Sequence, residues 1–112
     1  MQRVDDQFKQ RVYEIVAAIP KGKVMTYGQV AAAAGAAWAA WEVGQIAHTG
    51  PSDLPWQRVV NKQGGLARGY PGGFDGHKKA LLVDGVAVDE DYRVNIEDLL
   101  WQPPHKNQSS LL

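Results

Sequence analysis

This chain of 112 residues carries twelve Lys and Arg, twelve Asp and Glu, three His and no cysteine. That length suits one small domain, and the absence of cysteine excludes disulfides, thiolate zinc sites and thiolate catalysis. No apolar run approaches the roughly 18 residues that span a bilayer, and the charged N-terminus lacks the apolar region of a signal peptide. We therefore expect a cytoplasmic protein, associated with the nucleoid if its source is bacterial, with no membrane partner.

Charge is distributed unevenly along the chain. Residues 1–82 carry ten Lys and Arg against six Asp and Glu, whereas residues 83–112 carry two against six. The excess of positive charge in residues 1–82 is compatible with a face that binds nucleic acid, although solvated charged faces are commoner than binding faces. The three histidines, His48, His77 and His105, lack the spacing of metal ligands, so we expect surface residues, no metal and no cofactor.

The pattern of residues 26–48 predicts two short helices joined by a tight turn. Thr26 and Gln29 match a capping box, in which each side chain bonds the backbone of the other residue. The helix that starts there is expected to end at Gly35, which tolerates the left-handed conformation. A third helix is expected over residues 38–48. This arrangement is typical of a helix-turn-helix motif.

Outside this motif the pattern is mixed. Residues 51–76 are rich in Gly, Pro and polar side chains, apart from a β-like patch at 58–60, and so long a loop is more often functional than filler. The other expected elements are a helix over 6–19 capped by Asp5 or Asp6, a helix over 77–83, a hairpin pairing 86–88 with 92–94, a final turn capped by Asn95, and a disordered tail over 104–112. We therefore expect one domain over residues 1–103.

One segment carries a family resemblance. Pro55-Trp56-Gln57-Arg58-Val59 resembles the Pro-Cys-His-Arg-Val active-site motif of the O6-alkylguanine-DNA alkyltransferases, with Trp56 in the place of the cysteine. Further matching strings occur in the family's order and with nearly its spacing at 19–31, 43–45, 69–73 and 78–85. The chain thus resembles the alkyltransferase-like proteins, which lack the nucleophile and are not enzymes. The resemblance implies a mainly α fold with short strands, a winged-helix-like helix-turn-helix domain of the methylated-DNA–protein cysteine methyltransferase C-terminal type.

The resemblance also implies roles for individual residues. Tyr27 resembles the tyrosine that helps to rotate the target nucleotide out of the duplex, and the third helix resembles one laid in the minor groove. The implied lesion pocket contains Tyr27, Trp56, Gln57, Val59, Arg68 and Tyr70. The implied DNA-binding residues are Thr26, Tyr27, Gln29, Trp41, Gln45, Arg58 and Lys62, and Asn61 is expected to brace a turn. Trp41 stands where the family has an arginine that fills the space left by the flipped base.

These features favour a sensor that flips O6-alkylguanine in double-stranded DNA into a pocket and hands the lesion to nucleotide-excision-repair proteins. We expect a monomer. One alternative is a helix-turn-helix regulator or architectural protein without lesion preference, and another is a glycosylase or hydrolase that uses Asp84 or His77. Simpler structural roles are also open: Trp56 as a core aromatic, Arg58 as a structural ion pair, and Trp41 as part of a contact patch.

Overall fold

The computed structural model describes residues 5–104, and its first helix, α1, spans Asp6–Ala18. Asp5 begins the helix, because its carboxylate accepts a hydrogen bond of 2.8 Å from the Phe8 backbone amide. The helix ends before Pro20, since the residue that precedes a proline is driven towards extended backbone, as Ile19 is. The buried face of α1 contains Phe8, Val12 and Val16.

The second and third helices, α2 at Tyr27–Ala33 and α3 at Ala40–Thr49, form the predicted helix-turn-helix. The capping box is confirmed: Thr26 Oγ1 accepts from the Gln29 amide at 3.1 Å, and Gln29 Oε1 accepts from the Thr26 amide at 3.0 Å. Gly35 follows α2 with φ +100°, the left-handed conformation expected of it. Helix α3 begins two residues later than predicted, because Trp38 lies in the turn that precedes it.

A pair of two-residue strands separates two hydrophobic clusters. Strand β1 (Met25–Thr26) runs parallel to β2 (Val59–Val60), with Met25 opposite Val59. Successive side chains of extended backbone point to opposite faces. Met25 and Val59 therefore join the cluster formed with α1, α2 and α3, whereas Val24 and Val60 join the cluster that contains Leu81. The predicted β-like patch at 58–60 and the predicted fold class are confirmed.

The fourth helix, α4, spans Gly73–Val83 and begins four residues before the predicted start. Gly72 and Gly73 have positive φ angles of +84° and +70°, and the Gly76 amide donates to the Gly72 carbonyl at 3.1 Å. A Cβ on Gly76 would collide with the Pro71 carbonyl oxygen, so this turn requires glycine. Glycine is a weak helix former, which is why the sequence did not indicate the first turn of α4.

The predicted hairpin between 86–88 and 92–94 is wrong. The segment 92–94 pairs instead with 64–66: the Leu66 amide donates to the Tyr92 carbonyl at 3.0 Å, and the Val94 amide donates to the Gly64 carbonyl at 2.9 Å. Asn95 caps the short helix α5 (Ile96–Leu99) through the Glu97 amide, as expected. Within residues 5–104, no helix has the length and apolar character needed to cross a bilayer. The predicted disordered tail lies outside the described residues, apart from its first residue.

Candidate base-binding cleft

A cleft of about 970 Å³ opens between the helix-turn-helix and the loops that follow it. Small-molecule sites in proteins typically occupy about 300–1,000 Å³, so the cleft can admit a purine. Its lining contains these residues assigned from the sequence: Thr26, Tyr27, Trp41, Gln45, Trp56, Asn61, Lys62 and Tyr70. The structure adds lining residues that the sequence did not indicate, among them His48, Ser52, Ala67 and His77.

Trp56 belongs both to the hydrophobic core and to the cleft wall. Its side chain is only 9% exposed, and its indole meets the ring of Tyr13 edge-on at a centroid distance of 6.2 Å. The indole Nε1–H donates a hydrogen bond of 2.8 Å to the Pro51 carbonyl. A Cβ built on Gly50 would lie 2.8 Å from Trp56 Cζ2, so the absence of a side chain at Gly50 leaves room for the indole. The ring is therefore a fixed wall whose exposed part borders the cleft.

Tyr70 forms a second aromatic wall and is held by a histidine. Its ring stacks on His77 with a centroid distance of 4.7 Å and an interplanar angle of 21°. His77 is fully buried, so the expectation that it is a surface residue was wrong. Its position beneath Tyr70 follows from the packing of α4 against the 3-10 turn Trp56–Arg58. Sequence spacing carries no signal for that long-range contact.

The hydrogen bonds of His77 determine its protonation state. Nδ1 accepts from the Ala67 backbone amide at 2.9 Å, so it carries no proton. Nε2 lies 2.9 Å from the Gln57 carbonyl oxygen and must therefore donate to it. Burial lowers the pKa of His77, because the charged imidazolium would lose its hydration. The neutral ring thus ties the loop at Ala67 to the backbone at Gln57 and positions Tyr70.

Tyr27 borders the cleft at the first residue of α2. It is half-buried and packs against the core of α1, α2 and α3. Burial raises the pKa of its phenol, which therefore stays neutral near pH 7. Thr26 lines the cleft too, but the side chains of Thr26 and Gln29 are engaged in the capping box. Direct contact of these three residues with DNA stays a prediction.

Helix α3 contributes one face to the cleft. Trp41, Gly44, Gln45 and His48 recur at helical spacing, and all four line the cleft. The Trp41 side chain is 71% exposed, whereas Val43 and Ile46 on the packing face of α3 are buried. Lys62 brings an exposed cationic side chain to the lining. The cleft thus combines aromatic walls with a polar and cationic edge, which suits a base attached to phosphates.

Arg58 lies in a structural ion pair and is absent from the cleft lining. Its Nε and Nη2 donate to the two carboxylate oxygens of Asp84 at 2.8 and 3.0 Å, and Nη1 donates to the Ile19 carbonyl at 2.8 Å. This pairing raises the pKa of Arg58 and lowers the pKa of Asp84, so both stay charged. The geometry favours the ion-pair alternative over the DNA contact expected from the sequence.

Three of the residues assigned to the lesion pocket lie outside the cleft lining. The Gln57 side-chain amide donates to Asp84 at 3.3 Å, and the Val59 side chain is buried in the cluster formed with α1, α2 and α3. Arg68 is exposed, with its guanidinium 5.6 Å from the centroid of the Phe74 ring. The structure therefore corrects the assignment of these side chains to the cleft lining. A contribution from backbone groups near Val59 stays a prediction.

Asn61 closes the turn that presents Lys62. Its Oδ1 accepts from the Gln63 amide at 2.9 Å and from the Gly65 amide at 2.7 Å. One side chain thus satisfies two turn amides, as an asparagine commonly does in such loops. This geometry agrees with the bracing role expected of Asn61.

The site offers binding groups but not the family's covalent chemistry. The sequence contains no cysteine, so no thiolate exists to accept an alkyl group. Of the residues considered for hydrolysis, His77 has both ring nitrogens engaged and Asp84 is held by Arg58. Among residues 5–104, no cluster of His, Asp or Glu has the composition of a metal site.

Comparison with known proteins gives a consistent result. Residues 7–86 match the family model described as 6-O-methylguanine DNA methyltransferase, DNA binding domain. The DNA base-flipping protein of Escherichia coli is 42% identical over 99 residues, which cover 87% of this chain and 76% of that protein. Alkyltransferase-like protein 1 of Schizosaccharomyces pombe is 35% identical, with 88% of this chain and 97% of that protein covered. The crystal structure of S. pombe Atl1 in complex with damaged DNA containing O6-carboxymethylguanine matches with a TM-score of 0.81 and 32% identity, over 90% of this chain and 100% of that one.

Proposed function

Because this chain belongs to the 6-O-methylguanine DNA methyltransferase family, we propose that it binds O6-alkylguanine in duplex DNA and leaves the alkyl group in place. The family's enzymes depend on a cysteine, and this sequence has none. Trp56 fills the corresponding place in the motif. The protein is thus a recognition factor and not a repair enzyme.

The observation that carries this proposal is the cleft itself. It has the volume for a purine, and two aromatic residues, Trp56 and Tyr70, form its walls. Stacking on an aromatic side chain contributes roughly 1–3 kcal/mol per base, while extruding a base costs a few kcal/mol and less when the base is damaged. Because the two energies are similar, a lesion that weakens pairing favours the extruded state.

The relatives support the same mechanism. One is named for base flipping, and S. pombe Atl1 has been crystallised on DNA with an O6-alkylated guanine. The position of Tyr27, half-buried in the lining of the cleft, supports a part for it in rotating the nucleotide. We further propose that a monomer on the lesion recruits nucleotide-excision-repair proteins. In a bacterial source, such a protein would work in the cytoplasm on the nucleoid.

The test is equilibrium binding to two duplexes that differ only in one central base, guanine or O6-methylguanine. We expect tighter binding to the methylated duplex and unchanged DNA by mass spectrometry afterwards. Equal affinities, with preference for a particular sequence, would instead indicate a helix-turn-helix regulator. Altered DNA would indicate an enzyme.

The cleft is tested by Tyr70→Ala, which removes one aromatic wall. Loss of one stacking contact predicts weaker lesion binding by about 5- to 150-fold. Tyr92→Phe is the matched control, because Tyr92 stacks on Phe74 away from the cleft lining. Thermal unfolding of both variants separates a binding defect from a folding defect.

For the recruitment step, the readout is incision of the methylated duplex by purified excision-repair proteins, with and without this protein.

A further inference from the structure

His77 is a buried ionisable residue that lies beneath the aromatic wall of the cleft. It has no exposed surface, and its ring lies nearly parallel to the ring of Tyr70, with 4.7 Å between the centroids. Its two nitrogens bond the backbone of two different segments, at the Ala67 amide and the Gln57 carbonyl. An apolar ring would also stack on Tyr70, so the two nitrogens need a separate explanation.

The bond to Ala67 anchors the loop that carries Tyr70, residues 67–72. The other hydrogen bonds described for this loop are local. The Tyr70 amide donates to the Ala67 carbonyl at 3.2 Å, and the Tyr70 carbonyl accepts from the Gly73 amide at 2.6 Å. None of the six loop residues is buried. The position of Tyr70 therefore depends on His77, both through the stacked rings and through the bond at Ala67.

A second proton on the His77 ring is incompatible with this anchor. Nδ1 would become a donor and would face the N–H of Ala67, where the neutral ring accepts a bond of 2.9 Å. A donor that loses its acceptor inside the protein is destabilising, so the loop would have to move. The bond from Nε2 to the Gln57 carbonyl persists, because Nε2 remains a donor. Protonation thus frees the loop and leaves His77 bound to the 3-10 turn Trp56–Arg58.

Charged groups around His77 do not set its protonation. They lie in the 3-10 turn, the loop, α4 and the rest of the cleft lining: Arg58, Arg68, Lys78, Asp84, His48 and Lys62. Arg58 is paired with Asp84, Arg68 lies over the ring of Phe74, and Lys78 lies over the ring of Tyr92. Burial lowers the pKa of His77 below 6.5, the Gln57 carbonyl opposes that shift, and no charged side chain contributes to it.

We propose that His77 positions Tyr70 for the extruded base only while its ring is neutral, so that uptake of one proton releases the base. This inference rests on the proposed function, since it requires a base stacked on Tyr70. A bound base would cover Tyr70 and separate His77 further from water, which disfavours the imidazolium in the complex. The protein therefore holds the lesion at neutral pH and releases it in acid. His77 acts on the base through Tyr70 and is a positioning residue.

The first experiment measures Kd for the guanine and O6-methylguanine duplexes between about pH 8 and about pH 5. The preference for the methylated duplex should be constant near neutral pH. Below the transition of His77 it should fall by up to about tenfold for each pH unit, the slope expected for one proton. Circular dichroism at each pH establishes that the protein is folded where Kd is measured.

Variants of His77 separate the effect of the proton from a structural effect. His77→Gln keeps one acceptor and one donor but cannot take up the proton, so it should retain its preference in acid. His77→Phe keeps a stacked ring but loses both bonds, so it should bind the lesion about 2- to 12-fold more weakly, without an acid transition. His48→Gln is the matched control, because it removes the other imidazole of the cleft lining, and the acid transition should persist in it.

A second experiment needs no DNA and separates this inference from the proposed function. NMR of the free protein follows the ring nitrogens of His77 and the hydrogen exchange of the Ala67 amide over the same pH range. We expect a proton on Nε2 alone at neutral pH. Once the ring is protonated, the protection factor of Ala67 should fall while amides in α1 stay protected.

Three results would overturn the inference. One is a His77 ring that stays neutral until the whole protein unfolds, and another is an Ala67 amide that stays equally protected after protonation. The third is an acid loss of preference that is the same in His77→Gln as in the unaltered protein. If the unaltered protein failed to prefer O6-methylguanine at any pH, the proposed function would fall together with base release. The exchange of Ala67 would still show whether protonation frees the loop.

Discussion

Gly50→Ala is the sharpest test of how the cleft wall is built. Gly50 follows α3 with a φ of −80°, which any residue can adopt, so an alanine there introduces no backbone strain. The new Cβ would lie 2.8 Å from Trp56 Cζ2, 2.9 Å from the Ile46 carbonyl oxygen and 3.3 Å from Tyr13 Cε1. Any loss of stability therefore comes from the new contacts.

The size of the effect follows from those distances. Favourable carbon–carbon contacts lie at about 3.5–4.0 Å, so the methyl group would overlap the indole by roughly 1 Å. Overpacking of a well-filled core costs about 1–3 kcal/mol. For a domain of this size, each kcal/mol lowers Tm by about 4–8 °C. The displaced indole should also weaken lesion binding, because Trp56 forms part of the cleft wall.

Thermal unfolding in single and double variants gives the assay. Trp56→Phe removes the atom that the new methyl group strikes, so Gly50→Ala should cost at least about 0.5 kcal/mol less in that background. Gly44→Ala is the matched control on the same helix, because its Cβ would meet nothing within 4 Å. That substitution should stabilise the protein by about 0.5–1 kcal/mol through helix propensity. If Gly50→Ala lowered the free energy of unfolding equally in both backgrounds, the indole of Trp56 would not lie against Gly50.

Four further predictions concern ionisable side chains. Burial lowers the pKa of His77 from 6.5, so as the pH drops the unfolded chain binds this proton before the folded protein does. Tm should therefore fall below about pH 6.5. His77→Gln should flatten that decline. Asp84, whose pKa is lowered by Arg58, should add its own loss only below about pH 4, where the unfolded chain's carboxyl protonates. Arg58→Lys should cost about 1–3 kcal/mol of stability and leave lesion affinity unchanged in the folded protein, whereas a selective loss of affinity would restore a DNA contact for Arg58. Lys62→Ala should reduce the slope of log affinity against log salt by about one, and an unchanged slope would exclude a phosphate contact.

Local signals in the sequence were sufficient for much of the fold. The capping box of Thr26 and Gln29, the left-handed Gly35 and the cap at Asn95 each act within a few residues, and each was found where expected. The motif around Trp56 indicated the cleft and its missing nucleophile. The same local reasoning missed the first turn of α4, because that turn contains glycines, which are weak helix formers.

Contacts between distant segments were not predictable from such signals. Nothing in the spacing of the chain links His77 to Ala67 and Gln57, or segment 92–94 to 64–66. The role of Arg58 also depended on the fold, because an arginine in the motif suits both a phosphate and a carboxylate. Only its bidentate geometry on Asp84 favours the ion pair.

The absence of cysteine from the sequence already shows that this protein lacks the thiol that accepts the alkyl group in the family's enzymes. The sequence also indicated the bounds of α2, whose capping box and left-handed glycine are local signals. Which side chains form the cleft depends on tertiary packing, since the indole of Trp56 fits beside Gly50 only because Gly50 has no side chain. Tertiary packing also left Trp41 uncovered at the edge of that cleft. Both depend on how segments far apart in the chain pack together, and residue spacing does not encode that packing.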